Sequence, residues 1–293
     1  MGPHGLKVVW TDHRGVDWDL TTGDKGVILD VGQGGMSWPE MSHAHVRGGQ
    51  VRTLTVLKRA EHHFKVTVGW DRTGTDYYRL RDQWWGAANS PWAEGTLTVT
   101  RPDGETRWRK LHLLDTPDTE YPFDPGLGYE PPVELWSLTG DYPWWWGDPE
   151  VEKFAPGQAK SETPFYGPDG HGWPLYIGST LGAAGLEMTN RGQGPMWLDW
   201  TLVGPLSSPS FGVADGVLNF RGDVPAGEHV VVRTSPAQRG AWASDGTNLY
   251  DEVSGTFAPI KAGQASALTM RAEGVSGASL IQATGTPGFA MPF

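Results

Sequence analysis

The chain has 293 residues, with 34 acidic against 23 basic side chains, a formal net charge of −11 and a pI of about 5.2. That balance argues against general affinity for nucleic acid or anionic membrane. The complete absence of cysteine excludes disulfides and thiolate metal sites and leaves the redox compartment open. The length suits two domains with sizeable cores. Residues 1–7 lack the apolar core of a signal peptide, and no apolar run is long enough to span a bilayer. Synthesis and folding in the cytoplasm are therefore expected.

In chain order, residues 6–10 read as a first strand, 16–20 (Val-Asp-Trp-Asp-Leu) as a second and 27–31 as a third. Gly32-Gln33-Gly34-Gly35 breaks the third ahead of Trp38-Pro39. After the turn Arg47-Gly48-Gly49, residues 51–59 and 64–70 alternate and are rich in β-branched side chains. One helix is expected over 76–85, where Tyr77, Leu80, Arg81 and Trp84 fall at i, i+3, i+4 and i+7. Thr75 is placed to cap its start, and Gly86 with Asn89-Ser90-Pro91 to end it. Residues 95–101 and 106–114 flank Pro102-Asp103-Gly104-Glu105, the Asp-Gly signal of a tight hairpin.

The prolines and glycines of residues 115–132 disfavour both helix and central strand. The expected division is a first domain over 1–117, a linker over 118–132 and a second domain over 133–293. A strand over 133–138 opens that second domain. It is followed by the aromatic knot Tyr142-Pro143-Trp144-Trp145-Trp146, a polar loop over 155–173, and strands near 175–177 and 184–189. The clearest alternation comes next. Met196, Leu198, Trp200 and Leu202 point one way, and Trp197, Asp199, Thr201 and Val203 the other, until Gly204-Pro205. Further runs at 217–221, 229–234, 240–243, 255–259, 265–271 and 279–283 complete a sandwich of about eight strands. Pro225-Ala226-Gly227 and Lys261-Ala262-Gly263 read as equivalent turns. The 41 glycines and 23 prolines fit this turn-rich, all-β architecture with one helix in its first half: a sandwich or barrel-like first domain and a jelly-roll sandwich second.

Chemistry is sparse. Gly32-x-Gly34-Gly35 lacks a third glycine and a following helix, so a phosphate loop is not expected, and neither Gly-x-Ser-x-Gly nor His-Glu-x-x-His occurs. The pairs His43/His45 and His62/His63 have no carboxylate to complete a metal set, and a surface or interface role is expected of each. Asp17/Asp19 and Asp148/Glu150/Glu152 have the same-face spacing a glycosidase needs, but among 34 acids such coincidences are expected. Asp169-Gly170-His171-Gly172 reads as a turn or a calcium cradle. No catalytic residue, cofactor or metal ligand is assigned. The 16 tryptophans have two readings, core and interface packing or stacking on sugar rings.

The opening Val9-Trp10-Thr11-Asp12…Gly15-Val16-Asp17-Trp18-Asp19-Leu20 resembles the start of siphophage distal tail proteins. So do Val27-Ile28-Leu29…Gly34-Gly35-Met36…Pro39, the central helix, and the hairpin ending in Thr106-Arg107-Trp108-Arg109-Lys110-Leu111. Asn190-x-Gly192-x-x-Pro195, Pro225-Ala226-Gly227-Glu228 and residues 248–260 are similar to that family's galectin-like C-terminal domain, and the whole resembles minor tail proteins of actinobacteriophages. The resemblance implies a hexameric ring, formed by the first domain, that joins the tail tube to the tip or baseplate hub of a virion. Trp10, Trp18, Trp38 and Trp70 are then candidate ring anchors, and a fragment ending near Asp115 is expected to oligomerise. The apolar end, residues 289–293, is expected to dock on a neighbour.

Two alternatives stand beside this. One is recognition of host cell-wall glycan on Tyr142, Trp144 and Trp146, of which only Trp144 and Trp146 can share a strand face. The other is glycan cleavage by acids near Asp148. The loop over 155–173 is too short to be the inserted carbohydrate-binding module of the family's larger members.

Overall fold

The computed structural model describes residues 5–45, 52–88, 92–115, 123–128, 132–155 and 185–293. Two compact units divide the chain: Met1–Asp148 together with Gly288–Phe293, and Pro149–Pro287. Both are β-rich.

The first unit contains β1 (Lys7–Thr11), β2 (Asp17–Asp19), β3 (Val27–Leu29), β4 (Met41–His45), β5 (Arg52–Leu57), β6 (Ala60–Val68), the helix α1 (Gly74–Ala88), β7 (Gly95–Thr100), β8 (Thr106–Leu113), β9 (Val133–Gly140) and β10 (Trp145–Trp146). Seven strands form one antiparallel path, β2-β1-β7-β8-β9-β6-β3. The two ends of this path nearly close on each other, because the Leu29 amide donates to the Leu20 carbonyl at 2.8 Å. Strands β4 and β5 pair only with each other among the described residues.

Strict alternation makes the interior. From β6 it takes His62, Phe64, Val66 and Val68, from β9 Glu134, Trp136 and Leu138, from β8 Arg107, Arg109 and Leu111, and from β7 Leu97 and Val99. The helix lays Tyr77, Leu80, Trp84 and Ala87 on this interior. Trp84 packs edge-on against Trp18 at 5.3 Å and Trp136 at 5.8 Å. Truncating any one of these rings to Ala would cost about 3–5 kcal/mol. The helix begins one residue ahead of Thr75, which therefore sits in the first turn instead of capping it. The 102–105 hairpin turn forms as its sequence dictates, with Gly104 at φ +89 and its amide bonded to the Arg101 carbonyl at 3.0 Å.

The boundary differs from the sequence expectation. Strand β9 does not open a second domain: it pairs with β6 over eight positions, from Ala60↔Gly140 to Thr67↔Val133, and with β8 at His112↔Thr139 and Leu113↔Leu138. The Pro/Gly stretch before it therefore does not divide the two units, since the first unit runs on to Asp148. Its Pro125–Leu127 3-10 turn is capped by Asp124, which also accepts a hydrogen bond from the Tyr78 hydroxyl on α1. The last residues return as well. Gly288–Phe289 pairs antiparallel with β10, Trp145 opposite Phe289 and Trp146 opposite Gly288. The apolar end buries Phe289 and Ala290 in the chain's own first unit and leaves Phe293 half exposed.

The second unit is a two-sheet sandwich. It contains β11 (Glu150–Phe154), β12 (Glu187–Thr189), β13 (Leu198–Val203), β14 (Leu206–Val213), β15 (Gly216–Phe220), β16 (Asp223–Val224), β17 (His229–Arg233), β18 (Gly240–Ala243), β19 (Val253–Gly255), β20 (Ala265–Glu273) and β21 (Leu280–Gly285). One sheet runs β11-β21-β13-β17-β18; the other runs β12-β20-β14-β15-β19, with β16 on β14. The inward faces share one core, in which Trp200 of the first sheet meets Phe211 of the second at 5.3 Å. The two 3-residue sequences read as equivalent turns are alike in geometry. Glu228 N donates to Pro225 O and Gln264 N to Lys261 O, both at 3.1 Å, with Gly227 and Gly263 at positive φ.

Besides the two-residue β16, three strands of the second unit depart from the sequence reading. Strand β14 went unread because Ser207-Ser208-Pro209-Ser210 looks like a breaker. A bulge between Ser207 and Ser210, with Ser208 at φ 45, absorbs the proline. Strand β11 was read only as acids. The run expected over 255–259 is replaced by β19, which ends at Gly255, where a Cβ would meet the Val217 carbonyl oxygen at 2.2 Å. The expected strand over 175–177 and the 169–172 loop lie outside the described residues.

Candidate functional site

The aromatic knot owes its position to two inward arginines of β8. Arg107 and Arg109 alternate onto the same face as Leu111, an arrangement that puts cations where a strand normally places apolar side chains. Arg109 donates from Nε to the Trp144 carbonyl at 3.2 Å, from Nη2 to the Pro143 carbonyl at 2.7 Å, and from Nη1 to His62 Nε2 at 2.7 Å. Its guanidinium also lies 4.6 Å from the Trp145 ring centroid. Arg107 donates to the Met291 carbonyl at 2.7 Å and lies over Phe289 at 3.8 Å. One strand thus holds both the outgoing and the returning stems of the inserted second unit. Burial pulls the Arg109 guanidinium down to about 9, and pushes His62 down to about 3, helped by the charges of Arg109 and His63. His62 is therefore the neutral acceptor in this pair.

Within the knot, Tyr142 and Trp146 are not coplanar. Trp145 is wholly buried, while Tyr142, Trp144 and Trp146 are half-buried. Tyr142 and Trp146 meet edge-on, 5.9 Å apart at 70°. Trp144 lies over Gly288, where a Cβ would approach its ring to 3.1 Å. Trp146 stands opposite Trp108 of β8, a neighbour sequence spacing could not reveal.

The four candidate ring anchors separate into two pairs. Trp10 and Trp18 are core residues: Trp10 meets Phe64 edge-on at 6.3 Å and donates to the Ala87 carbonyl at 3.4 Å, and Trp18 packs on Trp84. As interface anchors both are corrected to packing residues, because alternation turns them inward on β1 and β2. Trp38 and Trp70 are 52% and 53% exposed.

The titratable candidates are absorbed by local structure. Asp17 accepts from the Thr11 hydroxyl at 2.6 Å, and Asp19 holds the following turn through the Thr21 and Thr22 amides. Glu150 pairs with Arg191 at 2.7 Å. His63 Nδ1 is 3.1 Å from Ser137 Oγ, and Gly34 bridges to His63. Gly35 is required by close approach and not by a phosphate: a Cβ there would sit 2.0 Å from the Glu61 carbonyl oxygen. His43 and His45 both lie on β4; among the described residues no group of three or more His, Asp or Glu side chains gathers for a metal ion.

Sequence reasoning missed Glu134. This buried carboxylate accepts from Trp85 Nε1 at 3.1 Å, Trp136 Nε1 at 2.9 Å and Arg81 Nε at 3.4 Å, tying α1 to the barrel. The signal available was a lone acid at an inward position of an otherwise apolar strand. Asn190 of the Asn-x-Gly motif is likewise structural. Its side chain donates to the Gly194 and Ile260 carbonyls and accepts from the Gly192 amide, all at 2.8–2.9 Å.

No family model matches the chain, and no curated protein matches it by sequence. Among solved structures it is similar in fold to the Dit protein of phage SPP1, described as a paradigm of the hub adsorption apparatus in phages infecting Gram-positive bacteria. That similarity covers 97% of this chain and 99% of that one, with a TM-score of 0.62 at 13% identity. It is also similar to a chain of the phage P2 baseplate in its activated conformation with Ca, over 96% of this chain and 97% of that one, with a TM-score of 0.50 at 14% identity. At these identities the likeness is one of fold.

Proposed function

We propose that this chain is a structural, non-enzymatic protein of a phage tail: a distal tail protein whose first unit assembles into a hexameric ring. The ring would join the tail tube to the tip or baseplate hub of a long-tailed virion, as in the minor tail proteins of actinobacteriophages, and would be built in the host cytoplasm. The second unit would be its galectin-like outer domain. The observation that carries this reading is the fold likeness to the SPP1 Dit protein, which covers 97% of this chain and 99% of that one.

A closed ring needs a heterologous interface of two different patches, each contact burying more than ~1,000 Å². With Trp10 and Trp18 in the core, Trp38 and Trp70 are the anchors left for it. The solution mass of the purified protein, with class averages of negatively stained particles, tests the reading. A six-fold annulus with an open centre is expected, and Trp38→Ala with Trp70→Ala should weaken it while leaving each protomer folded. A protein that stays monomeric at high concentration, and forms no ring when co-expressed with the tube and hub proteins of its own tail, would overturn the assignment.

A further inference from the structure

The five-stranded sheet of the second unit has an outward face whose composition the register fixes completely. One row across it reads Lys153, Gln282, Thr201, Val231, Trp242; the next reads Val151, Thr284, Asp199, Arg233, Gly240. Strands spaced about 4.8 Å apart make each row about 19 Å long. The Trp242 side chain lies across Gly240, where a Cβ would come within 2.3 Å of the indole. No other residue type at that position would leave the ring room to lie down on the sheet. Arg233 stands over the same ring at a loose 5.7 Å and reaches Asp199 at 4.0 Å. Both members of that pair are about half exposed, 47% and 51%. An exposed pair of this geometry contributes at most about 1 kcal/mol, so it opens readily to another partner. Gln282 Nε2 donates to Thr284 Oγ1 at 3.2 Å in the same field.

We propose that this face, with Trp242 as its stacking floor and Asp199, Arg233, Thr201, Gln282 and Thr284 as its polar field, binds a saccharide chain. A pyranose ring presents one C–H face and a rim of hydroxyls that both donate and accept. The indole meets the first requirement through a ring held flat against the backbone. The second is met by an acceptor-only carboxylate, a donor-only guanidinium, an amide and two hydroxyls, all within two adjacent rows. The apolar side chains of these rows lie toward the two edges, Val231 and Trp242 on β17 and β18 and Val151 on β11, while the middle is polar. This differs from a protein interface, whose centre is apolar and whose rim is polar. The row length accommodates several sugar rings in a line. On the opposite sheet the outward positions of β14 and β20 carry Ser210, Ala267, Thr269 and Arg271, with no aromatic ring.

This site is distinct from the Tyr142–Trp146 knot and does not depend on ring formation, so the two readings fail separately. The probe is an array of immobilised bacterial cell-surface polysaccharides and their oligosaccharides, read with the intact protein and followed by titration of the best-bound oligosaccharide. Trp242→Ala should weaken binding at least about tenfold, a loss of about 1.4 kcal/mol. Asp199→Ala, an exposed change that leaves the core untouched, should weaken it several-fold at an unchanged melting temperature. Tyr142→Ala with Trp146→Ala should bind as the unaltered protein does. Absence of binding to every saccharide would overturn the proposal. So would unchanged binding in both the Trp242 and Asp199 variants, or a loss confined to the Tyr142/Trp146 variant.

Discussion

The two units bury polar groups in opposite ways. In the first unit the buried polar groups include the charged Glu134, Arg107 and Arg109, and these three join segments far apart in the chain: Glu134 with Arg81, Arg109 with residues 143 and 144, and Arg107 with residue 291. In the second unit the core is mainly aliphatic around Trp200 and Phe211, and its buried polar groups, among the described residues, are neutral. Asn190, Thr234 and Ser279 each donate to backbone carbonyls of neighbouring segments. The two hydrophobic cores share no residue. A charge buried in a barrel costs several kcal/mol unless paired, so it fixes which distant segment must come to it. The first unit is therefore specified by its long-range partners and the second by its alternation. Breaking a partner should hurt the first unit far more than a comparable change hurts the second.

The largest test removes whole segments. A fragment ending at Asp115 lacks β9, the strand that lies between β8 and β6 in the sheet path, together with Glu134 and Trp136. It should show no cooperative melting by circular dichroism, contrary to the expectation that such a fragment oligomerises. By contrast, residues 1–148 joined to 288–293 by a short glycine-rich turn keep every strand of the first unit and replace only the insertion, since Trp146 and Gly288 are already cross-strand partners. That chain should fold and melt cooperatively. A cooperative transition from the 1–115 fragment would refute the role assigned to β9.

This same region shows where the sequence stops being legible. Strands with clean alternation and named turns were readable, including the 102–105 hairpin, the helix face Tyr77-Leu80-Trp84 and β13. Each depends on neighbours within a few residues. The place of β9 was not, because a Pro/Gly-rich stretch marks a chain crossing as readily as a domain boundary, and nothing local distinguishes them. Nothing local marks Arg107 and Arg109 as inward, because their carbonyl partners are supplied 34 to 184 residues later. Strand β14 was hidden by Pro209, whose tolerance depends on a bulge that the partner strand defines. Of the site proposals, the half-exposed Trp38 and the buried Trp10 look alike in sequence, as burial is a property of the closed sheet.

A single side chain comes next in size. Replacing Glu134 by Ala leaves the indole N–H groups of Trp85 and Trp136 and the Arg81 guanidinium without their shared acceptor, at an expected cost of about 3–5 kcal/mol. Calorimetry should show the first unit's transition falling while the second's stays in place. The corresponding change in the second unit, Asn190→Ala, strands neutral groups and should cost about 1–3 kcal/mol. Equal losses from the two substitutions would mean that buried charge does not set the first unit apart.

The smallest effect at ordinary pH comes from His62, and its sign follows from its burial. The folded protein holds this imidazole neutral down to about 3, while in the unfolded chain it takes up a proton near its ordinary 6.5. Between those values the unfolded state binds the extra proton, so stability is complete above pH 6.5 and is lost as pH falls toward 3. The loss should be on the order of 1 kcal/mol at pH 5.5 and a few kcal/mol near pH 3. Asp12 and Asp19 add a separate acid loss. Burial raises both carboxyls, but backbone hydrogen bonds to them outweigh it and leave both below their ordinary 3.8. Their contribution is present above that value and disappears beneath it, so melting temperatures between roughly pH 4.5 and 6.5 report on His62. His62→Gln retains an acceptor for Arg109 and cannot titrate. It should flatten the first unit's response across that window and leave the second unit's unchanged. A slope as steep in the variant as in the parent protein would place the acid sensitivity elsewhere and remove His62 from the clamp on the stem.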